Sequence, residues 1–105
     1  MRVRKQTDEH TDETIKNIVS VSDALAHPAR INMYRYILLK NIERTPVRNK
    51  DIVEEFSYSQ ATVSQHLSKL IIGGLITVKN EGTSSYYYIN NGKIDEYTRE
   101  LKILE

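Results

Sequence analysis

The sequence predicts a mainly α-helical domain completed by a small β-hairpin. Three observations predict it. Apolar residues recur at helical spacing through most of the chain, and Gly73-Gly74 ends that pattern. Beyond the glycines the period drops to that of a strand over two β-branched and aromatic runs. A last helical stripe follows. The 105 residues fit one domain, with no room for a second core of useful size.

In chain order, residues 1–10 are polar and read as a flexible N-terminus, ahead of a single domain over 11–105. From Thr11 to Ala26, Ile15, Ile18, Val19, Ser22, Leu25 and Ala26 share one helical stripe. Thr11 or Asp12 caps its start. His27-Pro28 interrupts the pattern, and proline suits the first turn of a new helix. That second helix carries Ile31, Tyr34, Ile37 and Leu38 at core spacing and ends near Lys40-Asn41. Ile42 to Val47 is a loop. A short third helix covers Asn49 to Phe56 with Ile52, Val53 and Phe56 inward. After the turn Phe56-Ser57-Tyr58, Ser59 caps a fourth helix from Gln60 to about Ile72. A glycine just past its last turn takes the left-handed conformation that stops a helix without strain.

Leu75–Lys79 and Tyr86–Ile89 read as two strands joined by turn residues Asn80–Ser85, a hairpin over 75–90. The final helix, 92–104, aligns Ile94, Tyr97, Leu101 and Leu104. A short helix, a tight turn and a capped helix over 49–72 make a helix-turn-helix. With the hairpin attached, the expected architecture is a winged helix-turn-helix of five helices and a two-stranded wing.

Composition narrows the function. There is no cysteine, which removes disulfides, thiolate metal sites and thiol chemistry. No glycine-rich phosphate loop or His-x-x-x-His spacing occurs, so no enzyme and no cofactor is expected. His10, His27 and His66 lie far apart without ligand spacing, and no metal site is expected. The chain has no apolar run of the roughly 18 residues that a membrane span needs and no apolar leader, so the expected compartment is the cytoplasm, away from membranes. The net charge of +1 is unevenly spread. Residues 30–80 hold eight basic against four acidic groups, while both flanks are mildly acidic. A positive middle suits a phosphate backbone.

The fourth helix is the most informative element. With Val63, Leu67 and Leu70 inward, the outward face is Ala61, Thr62, Gln65, Ser68 and Lys69, flanked by Gln60 and Ser64. Short hydroxyls and amides are weak helix formers but good readers of base edges. Gln65 can bond adenine through two hydrogen bonds, Thr62 and Ser68 can meet several edges, and Lys69 can reach a phosphate. Arg44, Arg48 and Lys50 ahead of this helix, and Lys79 on the wing, are further candidate contacts with the backbone.

Several stretches together resemble the ArsR/SmtB regulators. Ala24-Leu25-Ala26-His27-Pro28-Ala29-Arg30-Ile31 is similar to that family's "ALADPTRLRIL" opening. Ser59 through Leu70 resembles its "SQSTVSRHLKVL" recognition helix. Gly73-Gly74-Leu75-Ile76 resembles its "AGLV" exit, and Glu81-Gly82 with Tyr86-Tyr87-Tyr88 its wing. The resemblance implies a homodimer built from the first and last helices, through Ile15, Ile18, Val19, Leu25, Ile94, Tyr97, Leu101 and Leu104. It also adds Gln60, Ser64 and His66 to Thr62, Gln65, Ser68, Lys69, Arg48, Lys50 and Lys79 as DNA contacts.

The departures concern sensing. Where metal sensors of the family carry paired cysteines on the third helix, this chain has Val47-Arg48-Asn49-Lys50-Asp51. Where others bind zinc on the last helix, Asp95-Glu96-Tyr97 puts tyrosine in place of histidine. The wing tip, Thr83-Ser84-Ser85, offers hydroxyls where family wings often carry arginine or lysine. The expectation is a transcription regulator, a dimeric repressor that binds an inverted repeat in double-stranded operator DNA through helix 60–72, with its effector undefined. Two other readings stay open: a winged-helix module that binds protein only, and a repressor with unusual metal ligands.

Overall fold

The structure, a computed structural model, describes residues 5–105 of the chain, with side chains from Thr11 onward. The order is α1 (Lys5–Leu25), α2 (Pro28–Ile42), α3 (Asn49–Phe56), α4 (Gln60–Ile72), β1 (Ile76–Glu81), β2 (Ser84–Ile89) and α5 (Lys93–Glu100). A 3₁₀ turn, Leu101–Leu104, ends it. This is the expected winged helix-turn-helix with five helices and a two-stranded antiparallel wing. None of the described helices is long and apolar enough to cross a membrane.

Local chemistry sets most boundaries. Pro28 opens α2, and the extended His27 before it accepts the Ala29 N–H on Nδ1 at 3.0 Å. The start of α3 is fastened by Asp51, whose carboxylate accepts the Arg48 backbone N–H at 2.8 Å. Arginine has no acceptor to offer in return, so only this half of a capping box forms. Ser57, left-handed at φ 59°, turns the chain, and Ser59 Oγ accepts the Thr62 N–H at 3.1 Å to begin α4.

The core runs through every helix up to α4 and into the wing: Val21 and Ala24, Ala29, Met33 and Ile37, Val47 and Ile52, then Val63, Leu67 and Leu70, and finally Leu75 and Ile76. The faces of α3 and α4 are the ones expected from sequence. That of α2 is turned. Ala29, Met33 and Ile37 are inside, whereas Ile31 is 45% exposed and Tyr34 and Leu38 are only half-buried. Ala29 begins the inward stripe of α2, and Ala24 of α1 lies against Gly73 after α4.

Other elements differ in extent. α1 begins at Lys5, ahead of the apolar period that starts at Thr11; residues 1–4 of the expected flexible terminus lie outside the described residues. The wing strands reach Glu81 and Ser84, so the expected six-residue turn shrinks to Gly82-Thr83. Gly82 supplies the positive φ of 62° that a two-residue hairpin turn requires. Helix α5 stops at Glu100, and the chain tightens into the 3₁₀ turn where one long helix was expected.

The two glycines after α4 divide the work. Gly74, at φ 79°, is the left-handed stop. Gly73 is right-handed, and a Cβ there would lie 2.5 Å from Ala24 Cβ. It is the point where α1 crosses the end of α4.

The wing is also tied down. Tyr87 N–H donates to Val47 O at 3.0 Å, so the residue before the helix-turn-helix joins the hairpin edge. Asn41, at the end of α2, accepts Ile89 N–H on Oδ1 at 2.8 Å and donates from Nδ2 to Tyr87 O at 3.4 Å.

Candidate nucleic-acid interface

Helix α4 hides Val63, Leu67 and Leu70 and presents Gln60, Ala61, Ser64, Gln65, Ser68 and Lys69 to solvent. Two of the sequence candidates are turned elsewhere. Thr62 is half-buried in the N-cap, where its Oγ1 accepts from Ser59 Oγ at 3.0 Å. His66 is half-buried between two rings, with centroids 4.6 Å from His27 and 6.4 Å from Tyr58.

The flanks of α4 are both basic or amide-bearing. On one side α3 begins beside the helix, and Asn49 Nδ2 donates to Ser64 Oγ at 3.0 Å. Lys50 projects into solvent there. Arg48 folds back, its Nε lying 3.6 Å from Asp51, and so offers less charge outward than its sequence suggests. Lys79 on the wing sits 3.5 Å from Glu81, an exposed pair that salt and competing phosphate readily open.

On the other flank stands Arg30, which sequence reasoning did not place among the contacts. Its Nε donates to Ala24 O at 2.7 Å, Nη2 to Asp23 O at 3.2 Å and Nη1 to His66 Nδ1 at 3.1 Å. Arg30, Gln65, Ser68 and Lys69 line a shallow notch of about 350 Å³ beside α4. A guanidinium has five N–H groups, so two remain available toward this notch. The arginine was visible in Ala29-Arg30, but nothing in the sequence indicated that it would reach across 36 positions to His66.

The same contact fixes the state of His66. Arginine can only donate, so His66 Nδ1 accepts and the ring proton sits on Nε2. Burial, with His27 and Arg30 nearby, holds the His66 pKa below its ordinary value. The unfolded chain therefore takes up a proton that the native state resists. Stability is full above the ordinary histidine value of about 6.5 and declines as pH falls below it. A thermal melt is expected to show a lower midpoint at about pH 5.5 than at about pH 7.5, a window in which ordinary carboxylates stay ionised. His66→Gln should shrink that difference; an unchanged pH slope in the variant would remove His66 as its cause.

The residues expected to pair protomers are spread over two settings. Ile15, at 44%, and Val19, at 60%, are exposed on α1, and Leu104, at 73%, at the C-terminus. Ile18 and Leu101 are half-buried, while Leu25, Ile94 and Tyr97 pack against the chain's own core. Tyr97 also bonds Ser22 Oγ through its hydroxyl at 2.8 Å. Among the described residues no group of three or more histidine, aspartate or glutamate side chains is arranged to hold a metal ion.

Fold and face together define a class: a winged helix-turn-helix protein whose second motif helix is capped, anchored by its apolar side and presented outward by its polar side. The model of the bacterial regulatory protein arsR family matches residues 35–78. The chain is 30% identical over 88 residues to the arsenical resistance operon repressor of Bacillus subtilis, covering 84% of this chain and 80% of that one. It therefore belongs to the ArsR family. It is also 32% identical over 54 residues to the arsenical resistance operon repressor of Staphylococcus aureus, a match that spans 51% of this chain and only 52%, about half, of that relative. Among solved structures, an ArsR-like transcriptional regulator from Rhodococcus superposes with a TM-score of 0.73 at 18% identity, covering 88% of this chain and 82% of the other. A homodimeric winged helix-turn-helix DNA-binding domain from Mycobacterium bovis gives 0.70 at 20%, covering 99% and 86%.

Proposed function

We propose that the protein is a sequence-specific DNA-binding transcription regulator that acts as a homodimer on an inverted repeat. The observation that carries this reading is the outward face of α4, where Gln65, Ser64, Ser68 and Lys69 are solvent-facing on a helix locked from behind by Val63, Leu67 and Leu70. A helix in the major groove meets base edges along its centre and a phosphate strand on each side. Gln65 and Ser68 suit the first role. Lys50 and Asn49 on one flank, and Lys69 with the spare donors of Arg30 on the other, suit the second. Lys79 and Arg48 add to the backbone grip once released from Glu81 and Asp51.

The homodimer reading is supported by the exposed Ile15, Val19 and Leu104 and by the assembly of the Mycobacterium bovis neighbour. Repression is supported by what the Bacillus and Staphylococcus relatives do.

Selection of bound duplexes from a random pool at near-physiological salt tests the reading, and an inverted repeat is the expected product. Against that duplex Gln65→Ala should lose about 1–3 kcal/mol of sequence preference while binding to random DNA is spared. Lys69→Ala should weaken binding to all sequences and flatten its salt dependence by about one phosphate contact. If no sequence is enriched and binding vanishes as salt rises, the protein-binding module becomes the better account.

A further inference from the structure

A groove of about 540 Å³ lies between the end of α2, the loop leading to α3 and strand β2, away from the outward face of α4. Its size falls within the roughly 300–1,000 Å³ of small-molecule sites. The larger share of its wall is apolar, from Leu38, Ile42, Pro46, Tyr88 and Ile89. Asn41, Arg44, Thr45 and Asn91 complete the lining. Ile42 is 67% exposed and Tyr88 is exposed beside it, so this surface is not spent on the chain's own core.

One charge borders the groove. Arg44 is held left-handed, at φ 61°, by the turn in which Arg44 N–H donates to Asn41 O at 3.0 Å and Thr45 N–H to Lys40 O at 2.9 Å. It forms no salt bridge with any described carboxylate. The acidic residue next to it, Glu43, lies 3.7 Å from Lys40 instead. Asn41, also on the rim, already has both ends of its carboxamide engaged by β2. A cleft with a mostly apolar wall and a single guanidinium that pairs with no described carboxylate is complementary to an amphipathic anion.

We propose that this groove binds a small monocarboxylate with an aromatic or branched aliphatic body, and that it is the effector site of the regulator. The carboxylate meets Arg44, and the body covers Ile42, Pro46 and Tyr88. The occupant touches both the loop that delivers α3 and the strand that carries the wing. A ligand that favours one spacing of these two segments changes DNA affinity by its difference in affinity for the two arrangements. This second step rests on the DNA-binding reading; the binding itself does not.

The test is a titration of the full chain, followed by amide NMR, with phenylacetate and 3-methylbutyrate, each against its uncharged amide. The expected result is saturable shifts clustered at Ile42, Arg44, Tyr88 and Asn91, with each acid at least about tenfold tighter than its amide. Arg44→Gln should erase that preference, and Ile42→Glu should abolish binding of all four compounds. Shifts centred elsewhere, equal binding of acid and amide, or no saturable shift would overturn the proposal. So would Ile42→Glu splitting a dimer, since the groove would then be covered by a second copy of the chain. With a selected duplex, phenylacetate should alter DNA affinity in the wild type and not in Arg44→Gln. Binding without that change would overturn the effector role. Failure to select any duplex would count against the DNA-binding reading while leaving the carboxylate site standing.

Discussion

Arg30→Ala is expected to destabilise the protein by about 2–3 kcal/mol, the largest loss for any single side chain outside the hydrophobic core. The guanidinium closes three acceptors at once: the Asp23 and Ala24 carbonyls at the end of α1, and His66 on α4. Hydrogen bonds from a charged donor contribute about 1.5–3 kcal/mol each when desolvated, and the partial exposure of Arg30 reduces the sum. Removal takes this donor from the Ala24 carbonyl and the His66 ring, while Asp23 O keeps the Ala26 N–H at 3.2 Å. Arg30→Lys should recover little, because an ammonium cannot span three acceptors in a planar fork. Urea unfolding checks both variants. Equal stability of the lysine variant and the wild type would mean that charge alone, not the fork, matters at this position.

Gly73→Ala should cost about 1–3 kcal/mol by overpacking, since a methyl 2.5 Å from Ala24 Cβ must push α1 off α4. The cause can be isolated. Ala24→Gly in the same chain removes the opposing methyl, so the double variant should regain part of the loss despite the added backbone freedom. For a domain of this size each kcal/mol appears as about 4–8 °C in the melting midpoint. Independent, additive losses in the double variant would show that the contact between α1 and α4 is not the origin.

Both predictions involve features that the sequence exposes only in part. α3 and α4 were legible to the residue, because Ser59 and the double glycine mark the bounds of α4 and Val63, Leu67 and Leu70 can only face one way. α2 was not. Ile31, Met33, Tyr34, Tyr36, Ile37, Leu38 and Leu39 surround it with apolar side chains, so periodicity has no direction to report. Ala29, which begins the inward stripe, carries little hydrophobic signal of its own. The turn of the wing was read too long because Asn80 and Ser85 are turn formers, yet Ser85 Oγ donates to Asn80 Oδ1 at 2.6 Å across the ladder. On the outward face of α4, the exposed Gln65, Ser68 and Lys69 follow from helix geometry. The same geometry puts His66 at the edge of the buried stripe, whereas its bond to Arg30 joins distant segments and is encoded by no local pattern.

The bond from Tyr87 N–H to Val47 O has a mechanical meaning. It gears the wing to the root of α3, so the two cannot swing independently without first breaking a backbone link. Asn41 pins the same strand to the end of α2. The span between the basic start of α3 and the wing is thereby a coupled one, and it changes only when the loop and β2 move together or exchange this bond. In a complex with duplex DNA, whichever span the protein holds meets a double helix whose groove width and bendability depend on sequence. Base pairs that no side chain touches would then still be gauged.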